Sequence, residues 1–389
     1  MRPASFKARF RRTLEAPSDS DQAPAVPPYD YRGTPEEEQA NAEKAIIQRN
    51  LASSDWPEVV EPGKTRVIFT DVANREEWEQ EFAVEDLEEL WQVAKATGIN
   101  RPSNGGEAGE ASEIQPPGVS PQAWSNAIDS RVNKPINATY PIFHNVLMRM
   151  GQVNRGCTGT LVGRRLVLTA AHCVVNPNLA ETNQTYRARG SGATEPFGAV
   201  TTAAYWLDAA YDANNCQNNY TAATRETCGR YDWALLLLPD NAWAGSPNGT
   251  PGWAGYWVPG ETDITTHSYA RNDGYPGCGG ADSPSGCVAN TVYGETVGRT
   301  SVLFRGADTS GQLAIFQTGN DTSPGHSGSM IWSTTYPDAN GPYALAIFTN
   351  LLCGTCAGES GTTLTHPTMV RRITPWVGGF ITTQRTNFP

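Results

Sequence analysis

The chain has 389 residues, with 40 acidic and 29 basic side chains and a formal net charge of −11. That length allows a large core or two to three domains, and the acidic balance argues against nucleic acid, whose phosphates need clustered Lys and Arg. The charge is lopsided: residues 1–122 hold 23 acids, 13 bases and no cysteine, whereas residues 123–389 hold 17 acids, 16 bases and all eight cysteines.

Residues 1–12 are basic, but no apolar run of signal-peptide length follows them, so no secretory leader is visible. Nowhere do about 20 apolar residues run together as a membrane span requires. Residues 13–35, rich in Pro, Ser and Asp, lack core formers, and 1–35 reads as a disordered tail. From Pro35 the stretch EEEQANAEKAIIQRNL predicts a helix, with proline at its start and early glutamates matched to the dipole. KTRVIFT at 64–70 predicts a strand. Residues 75–97 predict a second helix, with Trp78, Phe82, Leu87, Leu90, Trp91 and Ala94 at helical spacing and Gly98 as its stop. Residues 36–99 therefore read as a helical propeptide or accessory segment, and 100–122, rich in Gly, Pro, Ser and Glu, as a flexible linker.

From residue 123 the texture changes. Short apolar or β-branched runs such as TLVGRRLVLT, ALLLL and LAIF recur between Gly, Pro, Asn and Asp clusters, which is an all-β signature. Residues 123–389 form one domain on this reading. The cysteines fall as Cys157 and Cys173, Cys216 and Cys228, Cys278 and Cys287, Cys353 and Cys356. Eight cysteines allow 105 pairings, but four short-range pairs suit disulfides in an oxidising, extracellular setting. Zinc is the alternative; only Cys353-Gly-Thr-Cys356 has ligand-like spacing, and no second such pair follows.

Amide hydrolysis by a serine needs an attacking hydroxyl, an imidazole to take its proton, a carboxylate to orient that imidazole, and N–H donors for the oxyanion. Each has a marked candidate, in the order His, Asp, Ser. His172 ends the run LTAAHC, after a predicted hairpin that delivers it at a strand end. Asp232 directly precedes the apolar run WALLLL, where an unpaired carboxylate is costly and an imidazolium is a fitting partner. Asp208, Asp212 and Asp240 are the competing acids, each in a polar or turn context. Ser327 sits in DTSPGHSGS, whose Gly-His-Ser-Gly core makes a tight turn with converging N–H groups. The alternative, an α/β-hydrolase nucleophile elbow, requires strand–turn–helix and the order Ser, Asp, His; this chain has the reverse order, and MIWS after the serine reads as a strand.

TAAHC, DWALL and GHSGS in this order resemble the chymotrypsin-fold, trypsin-like serine proteases. More narrowly, SRVNKPINATYPIFHNVLMRM, GCTGTLVGRRLVLTAAHC, TEPFGAV, RYDWALLLL, DTSPGHSGS and ALAIFTN are similar, in order, to the bacterial glutamyl endopeptidase branch, over residues 127–380. The resemblance implies two six-stranded antiparallel β-barrels, preceded here by the partly helical pro-region, with the active site between the barrels. It implies His172 as general base and then acid, Asp232 as its orienter, Ser327 as nucleophile, and the N–H groups of Gly325 and Ser327 as oxyanion donors. It also implies an endopeptidase that acts on protein or peptide substrates; the cysteine pattern points to secretion, and the serine mechanism requires no cofactor or metal. Such an enzyme is made as a precursor cut near residues 123–132, with the pro-region as an intramolecular inhibitor or accessory.

Two departures bear on specificity and activation. Where trypsin-like digestive enzymes have an aspartate that pairs with the freed N-terminus, this chain has His326, so activation by that ion pair is not expected. Where the glutamyl branch has a histidine facing the substrate carboxylate, this chain has Phe348, which can neither donate a hydrogen bond nor carry charge. Asp321, Thr322, Phe348 and Thr349 make up the expected specificity pocket, and strict glutamate preference is expected to be lost. A binding module on an inactive protease scaffold is the rival from another class; it usually lacks a triad member, and none is missing here.

Overall fold

The computed structural model describes residues 6–13, 61–72, 74–104, 131–154, 156–175, 184–218, 224–260, 271–278, 283–295, 301–318, 320, 322–333, 341–351 and 368–389. Within them, β1 (Phe6–Thr13), β2 (Lys64–Asp71) and β3 (Glu76–Ala83) are followed by helix α1 (Val84–Thr97) and by the two-residue β4 (Ser103–Asn104) and three-residue β5 (Arg131–Asn133). Next come β6 (Met150–Val153), β7 (Cys157–Gly163), β8 (Leu166–Thr169), β9 (Thr185–Ala188), β10 (Val200–Thr201) and β11 (Ala204–Asp208). Two one-turn helices, α2 (Ala209–Ala213) and α3 (Arg225–Gly229), lead to β12 (Ala234–Leu237). The rest is β13 (Gly252–Trp253), β14 (Gly255–Tyr256), β15 (Arg271–Gly274), β16 (Tyr293–Glu295), β17 (Ser301–Ala307), β18 (Leu313–Thr318), β19 (Met330–Ser333), β20 (Tyr343–Leu351), β21 (Thr368–Arg372) and α4 (Pro375–Asn387).

The fold is all-β, as the short runs predict, built on two large sheets. The first has ten strands in the order β1-β3-β2-β11-β12-β8-β7-β6-β9-β10. The second runs β17-β18-β21-β20-β19-β15-β16-β5, with β14 joining β20 in parallel. Strands β8 and β12 are buried along their whole length, which is why LVLT and ALLL read as continuous apolar runs rather than alternating ones. α4 starts with proline in its first turn and buries Trp376, Val377, Phe380 and Ile381.

The first sheet exceeds the expected six strands: β6 to β12 supply seven, and β1, β2 and β3 extend it to ten. Here the structure corrects the reading of the N-terminal third. Residues 76–83, expected as the first turns of a helix over 75–97, are a strand, and the helix occupies 84–97. The deciding signal is period two: Glu77, Glu79 and Glu81 alternate on one face and are buried, where they meet arginines of both neighbouring strands. Arg9 reaches Glu79 at 2.7 Å, Arg12 reaches Glu77 at 3.1 Å and Arg66 reaches Glu81 at 3.0 Å. The same ladder explains β1. Residues 6–13, assigned above to a disordered tail, have few core formers, but their arginines supply partners of the buried glutamates.

The predicted strand at 64–70 is β2. The helix expected from Pro35 lies outside the described residues, as do 105–122 of the expected linker; its first residues are anchored, Ser103 and Asn104 pairing with Trp253 and Gly252. Among the described residues, no helix is long and apolar enough to cross a membrane.

Candidate active site

β12 lies between β8 and β11, with Ala234 opposite both Thr169 and Leu207. The residues just after β8 and just before β12 therefore share one end of the sheet. After β8 the chain makes a single 3-10 turn, Ala171–Cys173. A disulfide from Cys173 to Cys157, at the start of neighbouring β7, pins that turn to the sheet with 5.9 Å between the Cα atoms. His172 is thereby held over the entry of β12.

Asp232 has no solvent exposure. Its Oδ2 lies 2.7 Å from His172 Nδ1, and its Oδ1 accepts the His172 backbone N–H at 3.0 Å. One carboxylate thus grips both backbone and ring of the histidine. A carboxylate can only accept, so Nδ1 carries the proton and Nε2 is left as the acceptor a base requires. The competing acids are engaged elsewhere: Asp208 caps α2 by accepting Ala210 N–H at 2.9 Å, Asp212 pairs with Arg11 at 2.8 Å, and exposed Asp240 pairs with Arg165.

Ser327 comes from the second sheet, on the loop that enters β19. That loop docks against β7 of the first sheet through two hydrogen bonds from one threonine: Thr158 N–H to Ser327 O at 2.8 Å, and Thr158 Oγ1–H to Gly325 O at 2.8 Å. Cys173 Sγ is 3.6 Å from Ser327 O, so the serine backbone abuts the turn that carries His172. Gly328 makes this approach feasible. Its φ is +80°, and a Cβ there would lie 2.1 Å from Thr169 Oγ1 and 2.2 Å from Thr158 O. Gly325, at φ +96°, is equally confined, with a virtual Cβ 2.3 Å from Tyr275 O. Both glycines predicted from the sequence are required by positive φ and by close packing.

The loop's amides divide into two groups. His326 N–H donates to Ser323 O, Gly328 N–H to Phe348 O and Ser329 N–H to His326 O, at 3.0, 2.8 and 2.7 Å. Among the described residues, the N–H groups of Gly325 and Ser327 donate to no protein acceptor. Half-buried orphan donors on alternate residues of a tight turn are what an oxyanion site requires.

Thr322, Phe348 and Thr349 are all buried against β21. Thr322 Oγ1 is 3.1 Å from Thr368 Oγ1, which itself donates to Asn320 O at 2.8 Å, so the Thr322 hydroxyl is the donor of that pair. Thr349 Oγ1–H donates to Met369 O at 3.2 Å. Phe348 pairs with Val370. Asp321 lies outside the described residues. Of the cysteine pairs, 157–173, 216–228 and 278–287 are disulfides, while Cys353 and Cys356 lie outside the described residues. Among the described residues, the cluster of metal-ligand types is Cys157, His172 and Cys173, and its two sulfurs are bonded to each other.

Sequence reasoning missed the support of the loop. Arg131 Nη1 donates to Ser323 Oγ at 2.8 Å, and Ser323 Oγ lies 3.3 Å from His326 Nδ1. His326 is fully buried, its pKa held well below the usual imidazole range first by desolvation and then by Arg131. It points into the second sheet over Gly274, whose virtual Cβ would sit 2.7 Å from the ring. The available signal was a threonine, Thr158, inside a buried strand, and an arginine at the head of the protease-like stretch.

Residues 128–335 match the trypsin family. A glutamyl endopeptidase from Bacillus licheniformis is 24% identical over 266 residues, covering 67% of this chain and 72% of that protein. Among solved structures, a Glu endopeptidase in complex with MPD aligns over 67% of this chain and 98% of its own, at 17% identity and a TM-score of 0.44. The protease Anisep from Arthrobacter nicotinovorans aligns over 62% of this chain and 96% of its own, at 15% identity and a TM-score of 0.41. With more than half of its length matched, the chain belongs to the trypsin family of serine endopeptidases.

Proposed function

We propose that the chain hydrolyses peptide bonds through an acyl-enzyme at Ser327, with His172 as base and then acid and Asp232 as its orienter. The observation that carries this is the two-point hold of Asp232 on His172, at 2.7 and 3.0 Å, beside a serine loop docked on the same strands. The Ser327 hydroxyl loses its proton to His172 Nε2 as its oxygen attacks the carbonyl carbon. The oxyanion then forms against the N–H groups of Gly325 and Ser327. Collapse expels the amine, which takes the proton from His172, and water repeats the sequence to free Ser327. The test is amidase activity of Ser327→Ala, His172→Ala and Asp232→Ala. Each should lose on the order of 10⁴-fold or more in kcat, and double variants little further. Retention of most activity in Asp232→Ala would refute the assignment.

The enzyme is read as a secreted precursor, supported by the disulfides, with cleavage before β5 near residues 123–132. For residues 36–99, the sequence left an inhibitor and an accessory role open. The burial of Val67, Phe82, Leu87, Trp91 and Ala94 in the protein core favours the accessory role. As to specificity, the buried Phe348 and the two internally committed threonine hydroxyls offer nothing to a substrate carboxylate, and we read the preference as an uncharged or basic residue before the scissile bond.

A further inference from the structure

We propose that residues 61–104 are a permanent structural part of the protease rather than a removable pro-segment: when the chain is cut between 105 and 130, this piece stays docked and the mature enzyme is two-chained. The inference does not depend on the catalytic roles assigned above.

Two elements of the N-terminal segment dock on the protease domain. β2 adds to the edge of β11 with a continuous antiparallel register, from Asp71 opposite Ala204 to Val67 opposite Asp208. α1 lays Val84, Leu87, Leu90, Trp91 and Ala94 into the core, against α4 at the opposite end of the chain. The aromatic contacts run through this junction. Phe82 meets Phe380 edge-on at 5.6 Å, Phe380 meets Trp233 at 5.6 Å, and Trp91 meets Tyr256 and Trp257 at 5.9 and 5.4 Å. Trp233 directly follows Asp232, so this aromatic chain runs from the segment through Phe380 to the residue beside the acid.

The decisive feature lies in the protease domain's own sequence. α4 carries two adjacent glycines, Gly378 and Gly379, in its interior, where glycine weakens a helix relative to alanine. α1 is the neighbour that needs Gly379: a Cβ there would lie 1.7 Å from the carbonyl oxygen of Leu87, whereas one at Gly378 would meet Val258 at 2.9 Å and the Trp91 ring at 3.2 Å. A helix shaped to admit another helix's backbone is built for a lasting contact. Polar joints seal the margins: Tyr256 N–H donates to Asn100 O at 3.0 Å, Asn100 Nδ2 donates to Tyr256 O at 3.2 Å, and Thr65 and Thr309 hydroxyls meet at 3.1 Å. No hydrogen bond or ion pair among the described residues joins 61–104 to the loop 322–329, as a segment blocking the nucleophile would be expected to make.

The test uses the full chain in a Ser327→Ala background, with a recognition site for a sequence-specific protease placed within 105–122. After complete cleavage, the two pieces should co-elute at micromolar concentration under native conditions and melt in one transition. They should separate only in denaturant. Gly379→Val should separate them after cleavage, or lower the melting temperature of the uncut chain by ten degrees or more. The proposal fails if the N-terminal piece elutes alone while the protease piece stays folded with an unchanged melting temperature. It fails equally if Gly379→Val changes neither reading.

Discussion

Arg131 donates to the hydroxyl of Ser323 at 2.8 Å, and that hydroxyl lies 3.3 Å from Nδ1 of His326, the residue between the two orphan amides of the serine loop. β5, the first described strand after the expected cut, is thus tied through Ser323 to the loop that carries Ser327. Arg131→Ala should lower kcat on the order of tenfold with KM little changed, less than the 10²–10³ lost when an oxyanion donor itself is removed. Arg131→Lys should restore part of the loss. Steady-state kinetics on one peptide amide decides it; a change confined to KM would contradict the positioning role.

Specificity is read with otherwise identical peptides carrying Glu, Phe, Leu or Arg before the scissile bond. Placing an unpaired substrate carboxylate beside buried Phe348 costs several kcal/mol, so Glu should be disfavoured. A preference for Glu above tenfold in kcat/KM would show that another group supplies the missing donor.

The disulfide between Cys157 and Cys173 closes a separation of 16 residues, and a loop of that size is worth about 3 kcal/mol. The double substitution to serine should lower stability in urea by roughly that amount. It should also lower kcat, because the turn bearing His172 loses its tether to β7. Unchanged activity in a folded double variant would show that the Asp232 contacts alone position the histidine.

Asp208 is fully buried, and desolvation pushes its carboxyl up from 3.8 to about 7. The folded protein therefore holds this proton where the unfolded chain has released it. Stability falls as pH rises from about 3.8 to about 7 and is level above that. Asp208→Asn keeps the acceptor that caps α2 and loses the titration. Its melting temperature should match the parent near pH 4 and exceed it by a few degrees at pH 8; a variant that melts lower at pH 8 would contradict the sign.

The sequence made the site legible where chemistry needs a fixed residue type in a fixed local setting. His172, Asp232, Gly325, Ser327 and Gly328 each carry such a setting in their neighbours, and strands β8 and β12 announce themselves by unbroken apolar runs. The N-terminal third was harder to read because its strands are held by charge and by distant partners. Glu77, Glu79 and Glu81 look solvent-facing until Arg9, Arg12 and Arg66 are set beside them. Gly379 looks like a helix weakener until the α1 backbone at Leu87 arrives from nearly three hundred residues away. Arg131 and Ser323 are separated by 192 positions, and no local pattern couples them.

The central claim, that Ser327 is the nucleophile activated by His172 and Asp232, is tested most directly by mapping a sulfonyl fluoride adduct. The intact enzyme should take up one equivalent, with the added mass on the peptide that contains Ser327. Labelling should be lost in Ser327→Ala and slowed by several orders of magnitude in His172→Ala. An adduct on any other serine, or undiminished labelling of Ser327→Ala, would contradict the account.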